Sequence, residues 1–231
     1  MLKEAIILSG GLGTRLREVV SDVPKTLAPV NNKPFLDYLL RYLEHYKIER
    51  IVFALGHMSN LVMERYGNKY TYSVEKEPLG TGGAIRLALE KCTQTNVLVL
   101  NGDSFFDIDL NRFYNKHSDA ISDFSLALRK VQNASRYGTL KLGQLDLITD
   151  FKEKNGKDEP GIINGGVYIL DRAEFIDQTP AKKNFSIEKD FFEKHVKKTN
   201  FYGFIFEEYF IDIGIPADYT KAQHDFKEFK Y

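Results

Sequence analysis

The sequence predicts an α/β domain built on a mixed, mainly parallel central sheet flanked by helices. Three observations predict it. Apolar runs alternate with helical patterns in the first half, Gly-rich or polar turns follow those runs, and longer strand-and-turn patterns take over from Asp123 onward. The first apolar run, residues 5–8, reads as a buried strand. Phe35, Leu36, Leu39, Leu40 and Leu43 then mark one helical face. Residues 51–55 return as a strand, 61–66 as a short helix, 71–74 as a strand and 82–92 as a helix. Residues 97–100 form a fourth buried strand that runs into Asn101-Gly102-Asp103. Asp109 offers itself as the N-cap of a helix from Leu110. In the second half, strands are expected at 124–131, 138–142, 145–151 and 162–170. A last strand pair, 202–207 with 209–213, is flanked by helices near 188–197 and 216–229.

Composition narrows the class. The chain has 231 residues, enough for one large domain over 1–231, and no repeat or low-complexity tract. Lys plus Arg equals Asp plus Glu at 32 each, and the signs are interspersed, so the electrostatic footprint of a nucleic-acid binder is missing. Apolar runs are far shorter than the ~20 residues that span a bilayer, and the N-terminus has no signal-like apolar stretch. A cytoplasmic protein without membrane or nucleic-acid partners is expected. The single cysteine, Cys92, cannot form an intrachain disulfide and reads as a half-buried helix-end residue. No His-Glu-x-x-His or Gly-x-Ser-x-Gly string occurs, which removes zinc hydrolysis and hydrolase triads, and most histidines are expected on the surface.

The chemistry-bearing stretch is Leu8-Ser9-Gly10-Gly11-Leu12-Gly13-Thr14-Arg15, followed by Pro24-Lys25. Glycines directly after a strand let backbone N–H groups approach an anion, and Arg15 and Lys25 add two cations. Neither common phosphate-loop motif fits. The Gly-x-x-x-x-Gly-Lys-Ser/Thr string is absent, and Gly11-Leu12-Gly13-Thr14-Arg15-Leu16 ends in Leu where a dinucleotide fingerprint wants Gly or Ala. A tight turn is the bland alternative, and the two cations count against it. Ligands of an open parallel sheet bind beyond the carboxyl ends of its strands, where this loop, Glu77-Pro78-Leu79-Gly80-Thr81-Gly82-Gly83 and Gly102-Asp103 all fall. With Asp109 assigned to a cap, Asp103 is free to hold a metal. Asp212 is a carboxylate inside the apolar strand Phe210-Ile211-Asp212-Ile213, so a cation or donor partner is expected, a structural ion pair being the alternative. The Asp107-Ile108-Asp109 string matches an Asp-x-Asp metal pattern but is treated as a coincidence.

Taken together these segments resemble the sugar-1-phosphate nucleotidyltransferases, and the resemblance spans nearly the whole chain. It is carried by Gly10 to Arg15, Pro24-Lys25, residues 77–84, Asn101-Gly102-Asp103, Tyr137-Gly138, Phe151-Lys152-Glu153-Lys154, residues 164–168, Glu188 and Asp212-Ile213-Gly214. Two departures stand out: the usual Pro-Leu-Thr after Arg-Leu is missing, and Phe210 stands where many members have Trp.

The resemblance implies a Rossmann-like fold of the nucleotide-diphospho-sugar transferase type, with residues 1–120 as the nucleotide half and 121–231 as the sugar-phosphate half. It implies that Leu8, Gly10, Gly11, Gly13, Thr14, Glu77, Gly80, Thr81 and Gly82 contact the nucleotide. Arg15 and Lys25 would neutralise its triphosphate, and Asp103 and Asp212 would hold Mg²⁺. Gly138, Glu153, Asn164 and Glu188 would face the sugar, and Lys154 its phosphate. GTP is the expected nucleotide and D-glycero-α-D-manno-heptose 1-phosphate the expected sugar phosphate. Mannose 1-phosphate with GTP, or N-acetylmuramate or glucose 1-phosphate with UTP, are the alternatives. A glycosyltransferase would need cations for only two phosphates, and a non-catalytic nucleotide-binding regulator would need no paired carboxylates. A homodimer is the anticipated assembly.

Overall fold

Strand β1 (Glu4–Ser9) is the axis on which the sheet is built, and five of its six residues are buried. The computed structural model describes residues 1–11, 16, 19–20, 22–152, 156 and 158–231. After the loop that follows β1, a short hairpin of β2 (Pro29–Val30) and β3 (Lys33–Pro34) leads into α1 (Phe35–His45). All five apolar residues expected on one face of α1 are buried, joined by Tyr38 and Tyr42. Next come β4 (Arg50–Leu55), α2 (Ser59–Tyr66), β5 (Thr71–Val74), α3 (Gly80–Leu89) and β6 (Asn96–Asn101). Strand β1 lies parallel between β4 and β6, and β5 lies parallel on β4. This is the parallel half that the alternating pattern predicts.

The second half completes the sheet with mixed pairing. It contains β7 (Ser104–Phe106), α4 (Leu110–Asp119), β8 (Phe124–Val131), β9 (Thr139–Leu142), β10 (Ile148–Lys152) and β11 (Gly161–Asp171). Strand β11 runs antiparallel to β6, β8 and β9, so it stitches the two halves into one sheet. Its register on β8 shifts between Asn164 and Tyr168, which bends the strand where it passes the cavity described below. Alternate residues feed two cores. Ile7, Phe53, Leu98 and Ile169 pack with α1 on one face, and Ile6, Val52, Val99 and Leu170 pack with α3 on the other. Among the described residues no helix is long and apolar enough to cross a membrane.

Several local expectations are corrected. Residues 145–151 do not form one strand. Leu145 and Asp146 adopt left-handed φ values of 55° and 64°, making a turn before β10. A short helix, α5 (Arg172–Gln178), was not expected. It is started by Asp171, whose Oδ1 accepts from the Glu174 N–H at 3.0 Å. The helix near 188–197 is a π-helical stretch, Ile187–Phe192, running into α6 (Glu193–His195).

The last strand pair also separates: β12 (Phe201–Ile205) lies parallel to β8, whereas β13 (Phe210–Asp212) lies antiparallel to β7. Helix α7 (Pro216–Asp225) follows β13. Cys92 is 3% exposed, not half-buried, and burial pushes its thiol up to about 12. Asp109 does cap α4, accepting from the N–H groups of Asn111 and Arg112.

Four of the five histidines are exposed or half-buried, but His117 on α4 is 2% exposed. Ser125 Oγ donates to Ser122 Oγ at 3.0 Å, so it accepts from His117 Nδ1 at 2.8 Å, which puts a proton on Nδ1. Burial pushes this imidazole down to about 4, with Asp171 opposing. A folded value below the unfolded one, about 6.5, stabilises the fold fully above that pH and is lost as pH falls toward 4. Thermal melts should therefore show Tm dropping between about pH 6.5 and pH 4, with His117→Gln flattening that limb. An unchanged slope in the variant would show that the buried ring does not drive it.

Candidate active site

The strands β6, β1, β4 and β5 lie side by side in that order, and a cavity of about 480 Å³ opens beyond the carboxyl ends of β6, β1 and β5. Three chain segments arrive there for reasons visible in the backbone. Gly102 donates its N–H to Leu8 O at 2.9 Å, and a Cβ at Gly102 would sit 2.3 Å from that oxygen. Only glycine lets β6 turn this tightly against β1, and the turn delivers Asp103 to the cavity. Pro24 leads into a single 3₁₀ turn, Lys25–Leu27, which sets Lys25 over the same point. Ser9 and Thr26 close the contact through their hydroxyls at 2.6 Å.

Asp212 comes from the other end of the chain. Pairing of β13 with β7 sets it opposite Ser104, and the Ile213 N–H donates to Asp103 O at 2.9 Å. Two carboxylates from residues 109 positions apart are thereby neighbours. Lys25 Nζ donates to Asp103 Oδ2 at 3.2 Å. Asp212 Oδ1 accepts from the Gly214 N–H at 2.7 Å. Burial, and then the charge of Asp103, push the Asp212 carboxyl above the ordinary carboxylate range, while Gly214, Arg136 and Lys25 oppose that rise. The expected cationic and donor partners of Asp212 are thus Arg136, Lys25 and a backbone N–H.

One wall of the cavity is zipped from two segments. Phe185 N–H donates to Leu79 O, Gly82 N–H to Phe185 O, and Ile187 N–H to Thr81 Oγ1 at 2.9 Å. Gly80 has a left-handed φ of 69° and no room for a Cβ, which would lie 2.6 Å from Phe185 O. The opposite wall is the bent part of β11. Asn164 Nδ2 donates to the Tyr168 hydroxyl at 2.8 Å, and Tyr168 donates to Asn101 Oδ1 at 3.3 Å. Asn164 Oδ1 accepts from Gly166 N–H at 3.0 Å, so this amide shapes the wall and keeps one N–H for other use. Burial and the nearby Glu188 charge raise the Tyr168 hydroxyl.

Leu8, Gly10, Gly11, Lys25, Gly80, Thr81, Asp103, Gly138, Asn164, Glu188 and Asp212 all line this one cavity. Glu77 and Gly82 do not. Gly82 is buried against the Phe185 ring, which a Cβ would meet at 2.1 Å, so it serves helix packing. Gly13, Thr14, Arg15, Glu153 and Lys154 lie outside the described residues.

Two charged lining residues were missed. Glu75 directly follows β5, the strand-end position that singled out the Gly-rich loop and Asp103, so the same rule finds it. Its Oε2 accepts from the Leu79 N–H at 2.9 Å and its Oε1 packs over Gly10 and Gly56. Burial raises this carboxyl, against the Leu79 N–H. Arg136 precedes Tyr137-Gly138 in a loop, and no sequence pattern marks it. Asp107 of the Asp-x-Asp string accepts instead from Tyr231 and Lys230, away from the cavity.

Comparison with known proteins agrees with this geometry. The nucleotidyl transferase family matches residues 4–228. A D-glycero-alpha-D-manno-heptose 1-phosphate guanylyltransferase of Aneurinibacillus thermoaerophilus is 46% identical over 98% of this chain and 99% of its own length. The protein of the same name from Campylobacter jejuni is 43% identical over 94% and 96%. The crystal structure of HddC from Yersinia pseudotuberculosis complexed with GMP-PN superposes with a TM-score of 0.86 at 37% identity, covering 98% of this chain and 100% of that one. A chain that carries the strand-end cavity and matches along nearly its whole length belongs to the nucleotidyl transferase family.

Proposed function

We propose that this enzyme transfers GMP from GTP to a sugar 1-phosphate, D-glycero-α-D-manno-heptose 1-phosphate in particular, releasing pyrophosphate. The observation that carries the reading is the shared cavity. Residues from the first 120 positions and from the rest of the chain face one another across Asp103 and Asp212. The names of the similar proteins from A. thermoaerophilus and C. jejuni favour the heptose substrate.

In this reading a phosphate oxygen of the sugar 1-phosphate attacks the α-phosphorus of GTP in line. The new P–O bond forms as the bond to the β-phosphate bridging oxygen breaks, and that electron pair leaves on pyrophosphate. The attacking phosphate is already ionised at neutral pH, so no general base is required, which agrees with a cavity that holds no histidine among its lining residues. What must be overcome is repulsion between two anions. Lys25 bears on the triphosphate, and Arg15 is assigned there from sequence.

The residues also fit a divalent metal. Asp103 and Asp212 are oxygen donors held together at the cost seen in the raised Asp212 carboxyl, and no cluster of three or more ligand-type residues accompanies them among the described residues. Two carboxylates with room for water and phosphate suit Mg²⁺, which prefers such a set. When bound, the ion would offset charge between the reacting phosphates and on the leaving pyrophosphate.

Glu75 supports guanine as the base. Guanine presents two adjacent donors, N1–H and the 2-amino group, to an acceptor-only carboxylate. Uracil and thymine present a single N–H between two carbonyl oxygens, which a carboxylate repels.

Pyrophosphate release, measured with each nucleoside triphosphate against a panel of sugar 1-phosphates, should be fastest with GTP and the heptose 1-phosphate. No release with any pair would remove the transferase reading. Glu75→Gln should lower kcat/KM for GTP by about 10- to 100-fold and narrow the preference over UTP; an unchanged GTP preference would take Glu75 out of base recognition. Asp212→Asn should cut turnover by about 100-fold or more. Melted in metal-free buffer at neutral pH, it should gain on the order of 1 kcal/mol, about 2–4 °C in Tm, because a buried like-charge contact is relieved. Near-normal turnover would exclude Asp212 from the reacting centre.

A further inference from the structure

Lys25 is ion-paired with Asp103, and it is not the only cation at the acidic pair among the described residues. Arg136 lines the cavity next to Tyr137 and Gly138, on the loop between β8 and β9. Its Nη2 donates to Asp218 Oδ2 on α7 at 2.6 Å and to the Tyr137 hydroxyl at 2.9 Å. The guanidinium carbon lies 5.1 Å from the centroid of the Tyr137 ring. One edge of the fork is therefore fixed by an ion pair, a hydroxyl and an aromatic face. The other amino group, Nη1, is enclosed and has no hydrogen-bond partner among the described residues. A buried donor without an acceptor is costly, so a cavity that admits an anion can supply the missing partner.

Lys25 pairs with Asp103, and Arg136, held by Asp218 on the helix after β13, reaches the same cavity from the loop between β8 and β9. Two mutually repelling phosphates need cations on both reactants, and Lys25 and Arg136 come to the cavity from different parts of the chain. Lys25 is tied to the end of β1 by the neighbouring Ser9–Thr26 contact, and Arg136 adjoins Tyr137 and Gly138.

We propose that Arg136 binds the phosphate of the sugar 1-phosphate and that Asp218 is a positioning residue that holds its guanidinium in place, an inference that rests on the transferase reading above. A flexible point charge would not replace it, because Asp218 and the Tyr137 ring fix the orientation of the fork.

The test separates substrate binding from nucleotide handling. With wild-type enzyme and saturating Mg²⁺, steady-state kinetics give KM for GTP and for the heptose 1-phosphate. Calorimetry gives binding of the sugar 1-phosphate and of the unphosphorylated sugar. Arg136→Gln should raise KM for the sugar 1-phosphate by about 10- to 100-fold, change KM for GTP less than about twofold, and erase the affinity advantage of the phosphorylated sugar. Arg136→Lys, which keeps the charge and the Asp218 ion pair, should lose about 10-fold in the same parameter, and Asp218→Asn should lose less than either. An equal rise in both KM values, or a loss confined to kcat with sugar-phosphate affinity unchanged, overturns the assignment while leaving the transferase reading intact. Failure of the wild-type protein to release pyrophosphate from any sugar 1-phosphate overturns both.

Discussion

Everything at the functional end of this fold depends on forcing Asp103 and Asp212 together. The force comes from the short β7–β13 pairing, in which backbone hydrogen bonds override repulsion between two side chains that would otherwise move apart. The tight Gly102 turn against Leu8 removes the freedom of Asp103 to retreat, and the Gly214 N–H pins Asp212. Lys25 and Arg136 offset part of the repulsion without cancelling it. The remaining energy is a standing cost that an apolar or amide replacement would not carry, and such costs are found where chemistry requires them.

The same economy governs the cavity walls. The segment 79–82 and the segment 185–187 hold each other through two backbone bonds and one to a side chain, so a wall built by the first half of the chain is fixed from the second. The Asn164–Tyr168–Asn101 chain ties β11 to β6 in the same way. A division at residue 120 therefore describes which residues face which substrate in the proposed reading. It does not describe separate structural units, because β11 and β13 both cross it to pair with strands of the first half.

What could be read in the sequence follows from how local its physical signal is. The apolar strands and the α1 face declare themselves by periodicity, and Asp212 declares itself as a charge within an apolar run. Pairing partners do not declare themselves: 201–205 and 210–212 look like a hairpin because they are adjacent, yet each finds a different strand elsewhere. Gly82 shares a motif with Gly80 and Thr81, but motif membership does not distinguish a residue that faces the cavity from one that packs on Phe185. Arg136 was invisible for a related reason. Its partners Asp218 and Asp212 lie more than 70 residues away, and only the fold brings them to it.

The polarity of the cavity is the last constraint on how substrates enter it. At the β5 end the exposed chemistry is an acceptor, the Glu75 carboxylate, while the flanks of the acidic pair carry cations. A nucleotide has its donor-rich base at one end and its anionic phosphates at the other, so only one orientation puts donors on Glu75 and phosphates on Lys25. The reverse orientation would place phosphate against a half-buried carboxylate whose pKa is already raised by burial. In the proposed reading, charge placement therefore orients the nucleotide and directs its α-phosphorus toward the half of the cavity that Arg136 lines. Base selection and reaction geometry become, in that reading, consequences of one asymmetric distribution of charge.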